Sequence, residues 1–270
     1  MDLKNKKAIV TGGLNGIGKR VGENLLEREV HVAVLDIAEN QWANVRTEWE
    51  QNFPNGSFYF IKCNMCKREE VIAAFEKAFA LLNGLDIVVN NAGIFDEANW
   101  EMSLDINFKA MMRVAYIGIN LMSRSKGRDG GVVINSASLA GVQTFAFPAY
   151  CAGKSAVTAF TRSIAAMPDF IDIHGVRVNS VCVGFAQTSI PKQGDFKTSN
   201  DLDSFPGISL LNKAKDRIVL GIKYERMIPV DKVAGFYMKL IEDPDVHGKN
   251  LYYIGQKQSE ALYHEFQGIV

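Results

Sequence analysis

Tyr150 and Lys154 stand four residues apart in a stretch of helical periodicity, so both side chains leave one face of a helix. A phenol ordinarily keeps its proton to about pH 10, too high for a base at neutrality, but an ammonium beside it favours the phenolate. The pair is therefore equipped for general acid–base work. Far upstream, Thr11-Gly12-Gly13-Leu14-Asn15-Gly16-Ile17-Gly18 sits where a strand-like run passes into a helix-like one. Glycines there let the backbone approach a pyrophosphate, and the first N–H groups of a helix are free to bind it. A glycine-rich turn without a ligand has the same composition, and what favours phosphate binding is the placement between strand and helix. Asp36 ends the next strand, at the spacing from which a carboxylate reaches the hydroxyls of an adenosine ribose. A 2′-phosphate would be repelled there, and Ile37 and Ala38 supply no Arg to offset the repulsion, so the expected cofactor is NAD.

These groups act together only if the fold gathers them, and the surrounding pattern is one that does. Strand-like Lys7 to Thr11 is followed by a helical stretch from Gly16 to Glu29, a strand from His31 to Leu35, a helix from Glu39 to Gln51 and a strand from Ser57 to Lys62. The alternation continues with a helix from Arg68 to Leu82, a strand from Asp86 to Val89, one long helix from Ser103 to Ser123 and a strand from Gly131 to Asn135. It ends with a helix from Pro148 to Ala166, a strand from Gly175 to Val181, a helix from Asp231 to Ile241 and a strand from Asn250 to Ile254. Strands such as Val132-Val133-Ile134 are apolar throughout, as strands covered on both faces must be. Right-handed crossovers then give an α/β fold of one domain over 1–270, a Rossmann-type doubly wound parallel sheet with helices on both faces. Residues 190–223 are polar and turn-rich before an amphipathic stretch, and are expected to form a lid over the site.

Composition narrows the class further. With 270 residues, 47% of them hydrophobic, the chain can bury a sizeable core. Its 30 Lys and Arg balance 30 Asp and Glu, so no net charge draws it to nucleic acid or an anionic membrane. Met1 to Lys7 lacks the layout of a secretory signal, no apolar run spans a bilayer, and the last four residues match no organelle address, so a cytoplasmic location is expected. Of the four cysteines, Cys63 and Cys66 form a CxxC with no second pair to complete a zinc site, and are expected to be ordinary thiols.

Thr11 to Gly18, Asn90-Asn91-Ala92-Gly93 after the fourth strand, Ser138 after the fifth, and Tyr150-x-x-x-Lys154 together resemble the short-chain dehydrogenase/reductase family, in order and in structural context. The chain looks most like the NAD-using branch that includes hydroxyprostaglandin dehydrogenases and zinc-free insect-type alcohol dehydrogenases, with the likeness fading after about Thr188. The resemblance implies that Tyr150 is the acid/base, that Lys154 together with the positive nicotinamide ring favours its phenolate, and that Lys154 contacts the nicotinamide ribose. It also implies that Ser138 holds the substrate oxygen and that Asn107 holds a water in a proton relay. Ser136 is the rival serine, and reads more readily as a strand-end cap. The cofactor would rest on Gly12, Asn15, Gly16, Ile17, Gly18, Asp36, Asn90, Ala92 and Gly93, with Thr188 at the carboxamide. Two positions depart from the family pattern: Asn64 replaces a frequent adenine-contacting Asp, and Val183-Gly184 replaces a Pro-Gly. No metal is required. Family members commonly associate through their long helices, which implies a homodimer or homotetramer.

Phe145 and Phe147 lie between Ser138 and Tyr150, and Phe185 precedes Thr188, so these side chains are expected to bind the substrate. Phe95 should approach the same cleft, with Phe205, Ile208 and Leu210 closing it from the lid. Such a wall favours a hydrophobic, uncharged alcohol or ketone. Hydroxyprostaglandin dehydrogenases tend to carry a glutamine where Phe147 stands, which points away from a prostaglandin-like substrate. Two other classes stay open: a non-catalytic NAD-binding interaction module, and an isomerase or cyclase using the same pocket.

Overall fold

Strands made of Val, Ile, Leu and Ala with no polar face must be covered twice, and that requirement organises the chain. The computed structural model describes residues 2–143, 145, 147–188, 227–253 and 262–264. Its elements run β1 (Lys7–Thr11), α1 (Gly16–Leu26), β2 (His31–Asp36), α2 (Glu39–Asn52), β3 (Phe58–Lys62), α3 (Arg68–Leu82) and β4 (Ile87–Asn90). There follow α4 (Trp100–Leu104), a π-helical stretch (Asp105–Ala110), α5 (Met111–Met122), β5 (Gly131–Ser136), a 3-10 turn (Leu139–Gly141) and α6 (Pro148–Ala165). The described remainder is α7 (Phe170–His174), β6 (Val176–Val183), α8 (Val230–Glu242), β7 (Asn250–Tyr253) and β8 (Leu262–His264).

The strands lie in the order β3-β2-β1-β4-β5-β6-β7-β8. β1 to β7 pair in parallel, and β8 adds an antiparallel edge that the βαβ alternation does not announce. Successive residues of one strand enter different cores: Ala8 and Val10 join Trp49 and Tyr237 on one side, while Ile9 joins Phe75 and Met122 on the other. This two-sided burial produces the unbroken apolar runs. The chain order reverses between β1 and β4, which opens a crevice at their carboxyl ends.

Two expectations about helices are corrected. The long helix over 103–123 is interrupted, because residues 105–110 adopt π-helical turns between α4 and α5. The first helix stops at Leu26 rather than Glu29, whose φ of 58° places it in the left-handed region. Its carbonyl accepts from Asn5 N at 2.9 Å, and that contact turns the chain into β2. The expected lid over 190–223, with Phe205, Ile208 and Leu210, lies outside the described residues. Among the described residues no helix is long and apolar enough to cross a membrane, and no group of three or more His, Cys, Asp or Glu side chains could hold a metal ion.

Candidate active site

The glycine turn at the end of β1 is shaped by what cannot fit there. Gly12 has a φ of 62°, and a Cβ on Gly18 would run into the Gly12 carbonyl oxygen and lie 2.5 Å from Asn91 Nδ2. Only glycine allows the start of α1 to fold back so tightly on the strand. Asn15 caps α1, its Oδ1 accepting from Gly16 N at 2.7 Å, and Ile17 packs into the core behind it. No acidic residue stands in the first turn of α1, so the positive end of the helix is left uncompensated. Asp36 is fixed beside the turn, Oδ2 accepting from Leu14 N at 3.1 Å and Oδ1 from Ala38 N at 3.0 Å. Thr188 reaches across from the loop after β6, its methyl carbon 3.2 Å from where a Cβ on Gly16 would stand. A side-chain-free cradle, a helix start with free donors and an anchored carboxylate fit a dinucleotide.

Asn91 ties this cradle to the β4 loop, and the sequence reading gave it no separate role. Its Nδ2 donates to the carbonyls of Thr11 at 3.1 Å and Gly12 at 3.0 Å, while Thr11 Oγ1 accepts from Asn91 N and Ala92 N, each at 3.0 Å. The neighbouring Asn90 turns its side chain inward instead. Buried, it donates to Met111 O at 2.8 Å and to Asn135 Oδ1 at 3.0 Å, so its amide braces the helix layer. Asn64 closes the turn after β3, its Oδ1 accepting from Cys66 N at 3.0 Å.

Tyr150 and Lys154 lie on the first turns of α6, as their spacing predicts. The Ser138 hydroxyl is close enough to the Tyr150 phenol to lower its pKa; it donates to Val183 O at 3.5 Å and accepts from Ala140 N at 3.1 Å. Ser136 faces elsewhere, its Oγ lying 2.6 Å from Tyr237 Oη and donating to Asn91 Oδ1 at 3.4 Å. Ser138, and not Ser136, is thus the serine whose hydroxyl acts on the phenol. Lys154 is buried, and its Nζ donates to Ser136 O at 2.8 Å while lying 5.7 Å from the centre of the Tyr150 ring.

Burial governs the titration of both groups in the chain by itself. Burial pushes the Tyr150 phenol up to about 12, against the opposing effect of the Ser138 hydrogen bond, and burial pulls Lys154 down to about 8. Desolvation outweighs the Ser138 contribution, and the chain by itself holds Tyr150 as a phenol. Asn107 sits in the π-helical stretch, where such irregular turns recur at functional sites. It grips the loop after β4, Oδ1 accepting from Ile94 N at 3.0 Å and Nδ2 donating to Ile94 O at 2.8 Å. A Cβ on Gly93 would stand 2.9 Å from Asn107 Oδ1 and 3.4 Å from Lys154 Nζ, so the three residues meet at one point.

The aromatic side is partly assembled. Phe95 packs edge-on against Phe147, with ring centres 4.8 Å apart, and against Tyr150 at 4.9 Å. Phe147 is buried, which makes it the back of this wall, and Phe145 and Phe185 are half-buried. Glu97 is the other residue that the sequence reading missed. It is 9% exposed, and its Oε1 accepts from Tyr150 N at 2.7 Å and its Oε2 from Ala149 N at 3.1 Å. Burial raises its carboxyl pKa while the two N–H groups lower it.

The chain is similar to known proteins over most of its length. The profile of the short chain dehydrogenase family matches residues 6–196. The chain is 32% identical to 15-hydroxyprostaglandin dehydrogenase [NAD(+)] of Homo sapiens, over 92% of this chain and 90% of the human one. It is 30% identical to alcohol dehydrogenase 2 of Ceratitis capitata, over 70% of this chain and 73% of that one. Among solved structures, a short-chain type dehydrogenase/reductase from Mycobacterium marinum superposes with a TM-score of 0.77 at 24% identity, covering 94% of this chain and 95% of that one.

Proposed function

The chain belongs to the short-chain dehydrogenase family, and from that premise we propose that it is an NAD-dependent dehydrogenase interconverting a hydrophobic alcohol and its ketone or aldehyde. The observation that carries the reading is the meeting of three groups: Tyr150 and Lys154 on one face of α6, with Lys154 Nζ 5.7 Å from the centre of the Tyr150 ring, and the Ser138 hydroxyl close enough to the phenol to lower its pKa. A substrate hydroxyl entering between the two would be held by Ser138 and would exchange its proton with Tyr150 Oη. Bound in the glycine cradle, the nicotinamide supplies the hydride acceptor or donor. Lys154, whose ammonium is already desolvated, adds positive charge beside Tyr150 and a donor for the sugar. Asn107 and Gly93 keep the loop beneath it in place.

NAD rather than NADP is supported by Asp36, whose carboxylate is anchored by Leu14 N and Ala38 N and so cannot swing away from a 2′-phosphate. The hydrophobic substrate class is supported by Phe95 and Phe147, which offer apolar contact and no partner to a carboxylate. Trp100, Met102 and Tyr116 on α4 and α5 are exposed and apolar, which supports association of copies through that face.

A panel of alcohols and ketones, followed by nicotinamide absorbance with each cofactor, tests the reading. Turnover is expected with NAD on apolar substrates, and Tyr150→Phe should lower it by about 10²- to 10⁴-fold while NADH binding stays near normal. Substantial activity in Tyr150→Phe would sink the acid–base assignment. Best activity on a charged hydroxy acid or a sugar would sink the substrate class.

A further inference from the structure

We propose that Glu97 is a positioning residue for Tyr150: its carboxylate caps the helix that carries the tyrosine and sets where the phenol meets Ser138. The inference rests on the assignment of Tyr150 as acid/base.

A helix start leaves its first N–H groups without intrahelical acceptors. α6 begins with Phe147 at its N-cap position, which supplies no side-chain cap, and with Pro148, which has no N–H. The next two donors belong to Ala149 and Tyr150, and both are taken by the carboxylate of Glu97, which is 53 residues from Tyr150 in the chain. Placing a carboxylate in so buried a position is unfavourable unless its oxygens are matched by donors. Two charge-assisted hydrogen bonds at the positive end of a helix provide that match.

The cap arrives on a stiff support. Asn107 grips both main-chain groups of Ile94, Asp96 Oδ1 accepts from Ala98 N at 3.0 Å and Asn99 N at 3.1 Å, and Asn99 in turn caps α4. Phe95, on the same loop, touches the Tyr150 ring edge-on. The β4–α4 loop therefore holds Tyr150 at two points, its N–H and its ring, and Glu97 supplies the directional one. Its hydrogen bonds go to the start of α6 and not to the glycine cradle, so its loss should act on proton transfer and spare dinucleotide affinity.

Glu97→Ala and Glu97→Gln test this with two kinds of readout. Amide hydrogen exchange over the start of α6, which needs no turnover, should quicken at Ala149 and Tyr150 in the Ala variant. It should rise less in the Gln variant, which keeps one acceptor. The kcat should fall by about 10- to 100-fold in Glu97→Ala, as expected for misplacement of a reacting group by a fraction of an ångström to an ångström, with partial rescue in Glu97→Gln and an unchanged Kd for NADH. Unchanged exchange and kcat in both variants would overturn the proposal, as would a fall in kcat matched by an equal loss of NADH affinity. If Glu97→Ala does not fold, the same comparison with Glu97→Gln decides. A wild-type protein inactive on the whole panel would strike the dehydrogenase reading, and the exchange measurement would still decide the cap.

Discussion

Lys154 is held in a place that suits its chemistry and not its stability. Its Nζ donates to Ser136 O, and burial brings its pKa from 10.5 to about 8. Below pH 8 both folded and unfolded chains carry the ammonium, and burying it costs about 3 kcal/mol. Between about 8 and 10.5 only the unfolded chain binds the proton, so stability rises with pH through that window. Tyr150 acts in the opposite sense at higher pH: between 10 and about 12 the folded chain keeps a proton that the unfolded one loses, and stability falls there. Lys154→Met should therefore be inactive yet more stable at pH 7, by about 1–2 kcal/mol after the lost hydrogen bond is subtracted. The gain should shrink from pH 8 upward, vanish at about pH 9 and reverse by about 10.5, where only the lost hydrogen bond remains. Urea unfolding across that range checks it, and a variant less stable at pH 7 would mean that the Ser136 contact outweighs the desolvation.

Among the elements, α1 and α8 show how the same residue type carries opposite meanings. Gly18 of α1 has no room for a methyl group, because Gly12 O and Asn91 Nδ2 already occupy the space. Gly235 of α8 has nothing within 4 Å of its would-be Cβ. Gly18→Ala should push the turn away from β1, lowering stability by about 1–3 kcal/mol and weakening NAD binding. Gly235→Ala should instead stabilise by about 0.5–1 kcal/mol, since it only removes backbone freedom from the unfolded chain. Unfolding and cofactor titration of both variants check the contrast, and equal effects would show that the packing at Gly18 yields more easily than its geometry implies.

At the scale of the whole molecule, the reversal of strand order between β1 and β4 brings to one crevice residues that are more than a hundred positions apart, such as Gly16 and Thr188. A ligand bridging β1, the β4 loop and the loop after β6 ties those segments together, so it should stabilise the fold by mass action. At a hundred times its Kd the gain is about 2.7 kcal/mol, enough to move the melting temperature by several degrees. NAD should produce that shift, and NADP a smaller one at the same concentration, because of the fixed Asp36 carboxylate. Asp36→Ala should narrow the gap, and equal shifts from the two dinucleotides in the unaltered protein would contradict the cofactor assignment.

What the sequence determined by itself is whatever rests on local pattern. The strand–helix alternation, the glycine turn, Asp36 at the end of β2 and the shared face of Tyr150 and Lys154 are all encoded within a few residues of one another, by periodicity or by the backbone freedom of glycine. The interruption of the helix at 105–110 escaped because an inserted residue in a helical turn hardly disturbs a period read by side-chain type. The antiparallel β8 escaped because no crossover unit precedes it. Only the tertiary structure decided that Ser136 is engaged by Tyr237, that Asn90 turns inward while Asn91 holds the glycine turn, and that Glu97 caps α6. Each of those depends on which groups reach one another across 45 or more positions, or on which way a side chain leaves a strand end, and residue type alone does not encode it. The same holds for the sign of the pKa shifts. The surrounding core desolvates both Tyr150 and Lys154, and their spacing in the chain does not report that burial.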